Sequence, residues 1–365
     1  MSFIKNFVEQ ETMKRRQFLL SGIAGVGTVA AAGILPTRLL AADDPTIAWS
    51  YRNRTNPYWN AIVSGGTRFV ESLGKSGDEL VHLLNEGSSE KSLADVKALL
   101  SKTGGKLALG IDANDAPNAR PVVEACAAAG GHLVTIWNKT DDLHPWDFGD
   151  NYVAHISWSD VAPATTVANI LIDAMGGSGG IVGLGGIPSN NPAIERRQGL
   201  DAAMAANGNT VLLDYQAADW DTQKAAEIMS SYLTRFGNEI KGVFCANDTM
   251  AFGAIEALRA EGLAGQIPVV GYDGTAQAAE YIRSGEMEGT VYTDPPWAGG
   301  IACSLAYHAA IGAFKPSDEP KGHREFFGPA LVVSKSDVDA FIAAHIEGTP
   351  DVDWKDFWGP TTPAA

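Results

Sequence analysis

The feature that most constrains the fold of this chain is a long alternation of strand-like and helix-like segments, which begins near residue 45. Short apolar runs, such as residues 46–50 and 107–111, are separated by segments whose apolar residues recur at helical spacing. Strands that alternate with helices of about 10–15 residues are typical of βαβ units, in which helices cover both faces of a parallel sheet. We therefore predict an α/β fold built from doubly wound parallel sheets.

The alternation runs in two blocks. A polar, aromatic-rich stretch at residues 138–151 interrupts it, and new strand-like runs begin at residue 153. A chain of 365 residues is long for one ordinary domain and suits two. We therefore predict two α/β lobes, with the first crossing between them in this polar stretch.

The first 42 residues have the pattern of an export signal. A basic group that includes Arg15 and Arg16 precedes a moderately apolar stretch rich in glycine, which ends at the small residues Ala41 and Ala42. The run from Arg15 to Leu19 resembles the twin-arginine signal, and a general secretory signal is the alternative. A membrane anchor agrees less well with this segment, because the apolar run is short for a membrane-spanning helix. We expect cleavage near Ala42 and a periplasmic protein.

Charge and composition exclude several classes of function. Asp and Glu total 43 against 27 Lys and Arg, which gives a net charge of −16. This balance argues against nucleic acid and against anionic membrane surfaces as partners. Cys126, Cys245 and Cys303 form no CxxC pair, so we expect them to be buried and free of disulfides and zinc.

The sequence also contains no recognisable catalytic or cofactor motif. The glycine-rich run at residues 183–188 ends in Pro188, where a dinucleotide fingerprint needs glycine. Residues 112–115 begin like a calcium loop, but no glutamate closes it, so we interpret them as a turn and helix cap. The histidines form no HxH or HxxxH pair, and no nucleophile elbow is present. We predict no metal, no cofactor and no enzymatic activity.

Candidate binding residues follow the predicted strands. Ligands of open α/β sheets bind beyond the carboxyl ends of the strands. Aromatic rings there would pack on the C–H faces of a sugar, while carboxylates, amides and a guanidinium would bond its hydroxyls. The residues at these positions are Tyr58, Trp59, Trp137, Asn138, Arg196, Asn247, Asp273, Thr293 and Asp294.

The candidate residues could also have purely structural roles. Trp59 fits the apolar stripe of its helix, and Asn247 could serve only as a helix cap. Asp273 could serve a turn, and Arg196 could pair with Glu195 or Asp201 on a helix surface. Asp294, before two prolines, could belong to the hinge. We interpret Trp220 and the tail residues Trp354, Phe357 and Trp358 as packing anchors.

Four motifs resemble those of the periplasmic sugar-binding proteins of the ribose/galactose type, which have the type I periplasmic binding fold. The resemblance covers roughly residues 45–345. The motifs, in chain order, are Asn56-Pro57-Tyr58-Trp59 behind the first strand, Arg196-x-x-Gly199 at a helix start, Asn247-Asp248-x-Met250-Ala251-x-Gly253, and Val270-Gly271-Tyr272-Asp273-Gly274.

The resemblance implies roles and boundaries. Tyr58 and Trp59 would line the pocket, and Arg196, Asn247 and Asp273 would bond ligand hydroxyls. Hinge crossings would lie near residues 148–152, 290–294 and 322–327. The first lobe would then comprise residues 43–150 and 294–324, the second lobe residues 151–293 and 325–345, and a tail residues 346–365.

The sequence departs from the family pattern in two places. Trp137-Asn138 stands where the family often has Asp-Arg, and Thr293 stands where Gln is frequent. These differences favour a sugar other than ribose, or a polyol.

As a function, the resemblance implies a monomeric binding protein that delivers its ligand to the permease of an ABC importer. A chemoreceptor or a sensor kinase would be a further partner that recognises the closed form. An amino acid, an autoinducer or a purine remains an alternative ligand on the same fold. An α/β enzyme would need a catalytic cluster that the sequence does not show. A repressor of this fold would need an N-terminal helix-turn-helix where this chain has its export-like segment.

Overall fold

The computed structural model describes residues 44–364, and it confirms the predicted α/β class. The predicted export signal and its cleavage site near Ala42 lie outside the described residues. Two mostly parallel sheets are present in the described part of the chain, one of seven strands and one of six. The parts built on the seven-stranded sheet are called the first lobe, and those built on the six-stranded sheet the second lobe.

The first segment of the chain builds most of the first lobe. Short 3₁₀ turns at Gly77–Glu79 and Pro145–Phe148 connect some of its elements. The elements are β1 (Thr46–Tyr51), α1 (Pro57–Ser72), β2 (Val81–Leu84), α2 (Ser89–Thr103), β3 (Leu107–Asp112), α3 (Ala116–Ala129), β4 (His132–Ile136) and β5 (Tyr152–Ser157).

The middle segment builds most of the second lobe. It follows the same strand–helix rhythm, with one 3₁₀ turn at Gly237–Glu239. Its elements are α4 (Val161–Ala174), β6 (Gly179–Gly185), α5 (Asn191–Asn207), β7 (Thr210–Ala217), α6 (Thr222–Phe236), β8 (Ile240–Cys245), α7 (Asp248–Ala260), β9 (Val269–Val270), α8 (Ala276–Ser284) and β10 (Gly289–Tyr292).

The last segment contributes helices and strands to both lobes. A 3₁₀ turn lies at Pro316–Asp318 and a π-helical turn at Ile342–Ile346. The elements are α9 (Pro295–Ala310), α10 (Lys321–Arg324), β11 (Glu325–Phe327), β12 (Leu331–Ser334), α11 (Val338–Phe341) and β13 (Thr362–Pro363). The strand order is β13-β11-β5-β4-β3-β1-β2 in the seven-stranded sheet and β12-β10-β9-β8-β6-β7 in the six-stranded sheet. Among residues 44–364, no helix combines the length and apolarity needed to cross a membrane.

Buried apolar side chains explain why these elements form. Trp49 and Tyr51 of β1 are fully buried, as expected for a central parallel strand covered on both faces. Helices α1 and α9 approach closely above this sheet. A Cβ atom on Gly65 or Gly299 would lie 1.8 Å from a backbone oxygen of the facing helix, so the close approach requires glycine at both positions. The three cysteines are buried and free, as predicted.

The predicted lobe boundary at residue 151 is wrong. Strand β5 pairs in parallel with β4, so the first lobe continues to Ser157. The polar stretch at residues 138–151 is a connection within the first lobe. Buried Arg324 fixes it there, because its guanidinium donates to the carbonyl oxygens of Pro145, Gly149 and Tyr152 at 3.0, 2.7 and 2.6 Å. The first crossing therefore follows β5, at residues 158–160.

The later boundary also differs from the expected one. Strand β11 pairs in parallel with β5, which places residues 325–327 in the first lobe. Strand β12 pairs antiparallel with β10 in the second lobe. The crossing thus lies at residues 328–330, beyond the predicted segment. No local pattern indicates this crossing, because β11 is only three residues long.

The C-terminal tail returns to the first lobe, which the predicted set of three crossings did not include. Strand β13 pairs antiparallel with β11. Trp354, Phe357 and Trp358 pack into the first-lobe core, which confirms their predicted role as anchors. The carbonyl oxygen of Trp354 accepts a hydrogen bond of 2.6 Å from Ser304 of α9, and the Trp358 ring stacks on His323 at 4.0 Å.

Candidate binding cleft

A cavity lies between the carboxyl ends of the two sheets and encloses about 450 Å³ of atom-free space, part of it open to solvent. This is within the range of roughly 300–1,000 Å³ that small-molecule pockets occupy. Both lobes contribute to its wall. The lining residues are Arg52, Asn56, Tyr58, Trp59, Asp112, Trp137 and Asn138 from the first lobe, and Asn190, Pro192, Arg196, Trp220, Asn247 and Asp273 from the second.

Tyr58 and Trp59 enter the cavity from the first turn of α1. Asn56 caps this helix, since its Oδ1 accepts a hydrogen bond of 2.9 Å from the backbone N–H of Tyr58, and Pro57 is the first helical residue. The two rings meet edge to face at 5.2 Å. Burial raises the pKa of Tyr58 far above its usual value, and the nearby Asp273 carboxylate adds to this shift. The phenol therefore stays protonated and keeps its donor.

Trp137 forms a rigid aromatic wall at the end of β4. Its ring stacks on buried Trp158 with centroids 4.1 Å apart, and its Nε1 donates to the Tyr58 hydroxyl at 2.7 Å. Its φ is 62°, in the left-handed region that a bulky residue rarely adopts. Backbone strain of this kind persists where the surrounding contacts over-determine it, and it concentrates at binding sites.

Arg196 is held in one orientation inside the second lobe. Its Nε donates to Asp160 Oδ2 at 2.8 Å, and one terminal nitrogen donates to the Ala246 carbonyl oxygen at 2.9 Å. The Asp160 carboxylate also accepts from the Tyr272 hydroxyl at 2.7 Å. The guanidinium lies 3.7 Å from the centre of the Tyr272 ring, a cation–π contact. The partner of Arg196 is thus Asp160, and neither Glu195 nor Asp201 takes this place.

Asn247 and Asp273 lie beside each other on the second-lobe wall. Asn247 caps α7 through a bond of 2.9 Å from the Met250 N–H to its Oδ1, and its amide nitrogen points to Asp273 Oδ2 at 3.4 Å. Burial raises the pKa of Asp273 well above its usual value, while the charge of Arg196, whose guanidinium nitrogen is 3.7 Å away, opposes the rise. Asp273 also has a strained backbone, with φ of 126°.

Asp112 and Asn138 form the polar part of the first-lobe wall. The Asn138 amide donates to Asp112 Oδ1 at 2.7 Å, and both residues are buried. Burial raises the pKa of Asp112, whereas the positive charge of Arg52 and the bond from Asn138 lower it. From the sequence, Asp112 is expected only to be a turn residue. Its place at the end of β3 is the same signal that identified the other candidates.

Trp220 was interpreted as a packing anchor, and the structure places it in the cavity wall. It follows β7 with φ of 65°, and its Nε1 donates to Asn190 Oδ1 at 2.8 Å. Its ring lies 5.7 Å from the Arg196 guanidinium carbon. The residues of the lining that the sequence analysis did not select as ligand contacts are Arg52, Asn56, Asp112, Asn190, Pro192 and Trp220.

Thr293 and Asp294 lie beside the cavity and outside the lining defined above. Asp294 accepts hydrogen bonds from the Trp297 N–H and the Tyr292 hydroxyl, at 3.2 and 3.0 Å, and so caps α9 at a hinge crossing. This is the hinge role weighed for it above. Thr293 is fully buried, and among the described residues its hydroxyl has no hydrogen-bond partner.

The chemistry of this cavity suits a neutral, hydroxyl-rich ligand. Two buried carboxyl groups, Asp112 and Asp273, accept hydrogen bonds from Asn138 and Asn247, and the positive charges of Arg52 and Arg196 act on them. Indole and phenol rings supply flat apolar surface beside these polar groups. Within residues 44–364, no group of three or more His, Cys, Asp or Glu side chains is arranged to hold a metal ion.

Comparison with known proteins agrees with this geometry. Residues 47–313 match the family model described as periplasmic binding protein domain. The chain is 30% identical over 277 residues to the D-allose-binding periplasmic protein of Escherichia coli strain K12, covering 76% of this chain and 87% of the relative. It is 29% identical over 294 residues to the ribose import binding protein of Salmonella typhimurium strain LT2, covering 80% of this chain and 92% of the relative.

A solved structure is more similar still. The crystal structure of a twin-arginine translocation pathway signal protein from Burkholderia phytofirmans superposes with a TM-score of 0.84 and 49% sequence identity. The match covers 88% of this chain and 98% of that one.

Proposed function

Because the chain belongs to the periplasmic binding protein domain family, we propose that it captures a monosaccharide or a sugar-like polyol between its lobes and delivers it to an ABC importer. The observation that carries this proposal is a cavity walled by both lobes, in which aromatic rings lie together with carboxyl, amide and guanidinium groups. The names of the relatives, which bind D-allose and ribose, support the same ligand class.

Ligand capture follows from the division of the site between lobes. Tyr58 and Trp137 belong to the first lobe, whereas Arg196 and Asp273 belong to the second. A ligand that contacts both sets gains its full interaction energy only when the lobes are closed, so it shifts the population toward the closed form. The closed surface would then be recognised by the importer's permease, or by a chemoreceptor or sensor kinase. Family membership supports binding rather than catalysis.

Export to the periplasm is part of the proposal. The Arg15-Arg16 pair resembles the twin-arginine signal, and the similar protein from Burkholderia phytofirmans is named for that pathway. We expect the signal to be cleaved near Ala42 and the mature protein to act as a monomer.

A thermal-shift screen tests the ligand class. The purified protein is heated with pentoses, hexoses, polyols and, as the competing class, amino acids. A ligand that binds only the native state at a hundredfold excess over its Kd adds about 2.7 kcal/mol of stability and raises the melting temperature. The proposal predicts such a shift with at least one sugar or polyol. It predicts loss of the shift in Asp273→Asn and its retention in Asp201→Asn, where Asp201 lies exposed on the outer face of α5.

The amino acids in the screen test the alternative ligand class. A shift from an amino acid, with none from any sugar or polyol, would contradict the proposed ligand class while leaving the fold assignment intact.

A further inference from the structure

The start of helix α5 is hydrogen-bonded directly to the first lobe. The Asn190 side-chain amide donates to the backbone carbonyl oxygen of Asn114 at 2.5 Å. The Asn191 N–H donates to Asn138 Oδ1 at 3.1 Å, and its side-chain amide donates to the Lys139 carbonyl oxygen at 3.1 Å. Asn190 and Asn191 belong to the second lobe, and their partners follow β3 and β4 of the first. These bonds therefore exist only while the lobes are together.

Two of these side-chain amides, those of Asn138 and Asn190, both donate and accept a hydrogen bond. Asn138 accepts from Asn191 and donates to Asp112 Oδ1 at 2.7 Å. Asn190 donates to Asn114 and accepts from Trp220 Nε1 at 2.8 Å. Asn138, selected from the sequence as a ligand contact, therefore has its amide oxygen and an amide hydrogen already committed to protein partners.

We propose that Asn138, Asn190 and Asn191 form an interlobe latch, which stabilises the closed arrangement of the lobes and thereby raises the affinity for every ligand by the same factor. This inference rests on the proposed function, because it describes how the same cleft is held shut. The three side chains are positioning residues: they act on closure, whereas Arg196 and Asp273 act on the ligand.

The expected effect follows from population arithmetic. The apparent Kd equals the intrinsic Kd divided by the fraction of protein in the binding-competent state. Loss of one latch hydrogen bond reduces the closed population relative to the open one by about three- to tenfold, the net worth of a typical hydrogen bond. Where the open form predominates, every apparent Kd rises by that factor and the ratio between two ligands is unchanged.

The variant Asn191→Ala tests the latch with little disturbance of the cavity. Asn191 lies outside the cavity lining, and the substitution removes only its side-chain bond to Lys139. Asn190→Ala is the second variant, and it removes the bond to Asn114. The matched control is Asn207→Ala, since Asn207 ends the same helix, is similarly half-buried and bonds the Gly177 carbonyl oxygen within the second lobe at 3.1 Å.

The primary measurement is the distance between the lobes, and it needs no ligand. Dyes on cysteines introduced at exposed Ser101 and Ser230 report this distance by energy transfer, because the native cysteines are fully buried. Measured on single molecules, the ratio of closed to open protein should be about three- to tenfold lower in Asn191→Ala and Asn190→Ala than in the parent protein and Asn207→Ala. An unchanged distance distribution in both variants would overturn it.

Titration with two ligands of different affinity provides the second readout. The latch predicts that both Kd values rise together in Asn191→Ala, by about three- to tenfold. A change in the ratio of the two Kd values would show instead that Asn191 acts on ligand recognition. If the parent protein binds no sugar or polyol, the proposed function fails, while the interlobe distance still decides the latch.

Discussion

Breaking the ion pair between Arg196 and Asp160 should cause a large loss in the free energy of unfolding. Both side chains are buried, with exposed fractions of 4% and 0%, and the Nε–Oδ2 distance is 2.8 Å. The substitution Asp160→Asn keeps the size of the side chain and an oxygen that can accept from Tyr272 or Arg196. It removes the nearest countercharge of a buried guanidinium, and the next carboxylate, Asp273, is 3.7 Å from that group.

The magnitude follows from the cost of an unpaired buried charge. Breaking a buried ion pair by removing one partner costs about 3–5 kcal/mol. Because Asp273 still compensates part of the charge, we expect a loss near the lower end, about 3 kcal/mol in the free energy of unfolding. The control is the ion pair between Arg197 and Asp201, which lies on α5 next to Arg196. Arg197 and Asp201 are exposed by 35% and 51%, and Asp201→Asn should cost only about 0.2–1 kcal/mol.

Urea unfolding of the two variants and the parent protein at pH 7 measures these differences. A loss of less than about 1 kcal/mol in Asp160→Asn, or equal losses in the two variants, would refute the reasoning that burial makes this ion pair indispensable.

Two further predictions concern pH and the tail. Burial and the Asp160 charge raise the pKa of Glu195 to about 7 from 4.5, so between these values the folded state binds more protons and its stability falls as pH rises. Glu195→Gln should therefore match the parent protein in unfolding free energy near pH 4.5 and exceed it at pH 7.5; an equal difference at both values would contradict this. Phe357→Ala should cost about 3 kcal/mol in urea unfolding, because Phe357 is buried against Phe314 at 5.4 Å. The exposed Ile311→Ala should change stability by less than about 0.5 kcal/mol, and similar values for both would show that the tail is not docked.

The α/β fold could be predicted because its strands are buried on both faces. Residues 107–111 form an unbroken apolar run, and helices of ordinary length separate such runs. The boundaries between lobes were harder to predict, because they depend on which strands pair. Strand β5 begins just after a polar stretch, and its pairing with β4 is a long-range contact that local patterns do not encode.

Residues of the cleft could be predicted where they directly follow a strand. Asp273 and Trp137 were selected because they follow strands, and the structure places both in the cavity wall. Trp220 also follows a strand, β7, but an isolated aromatic residue in a polar segment is equally typical of simple packing. Asn190 could not be selected, since its importance comes from a bond to Asn114 in the other lobe.

The crystal structure of a complex with the sugar or polyol found in the screen would test the central claim most directly. We predict one ligand molecule between the lobes, with a C–H face against an aromatic ring of the cavity and hydroxyl groups within hydrogen-bond distance of Asp273 and Arg196. A ligand bound outside this cavity, or one that contacts a single lobe, would contradict it.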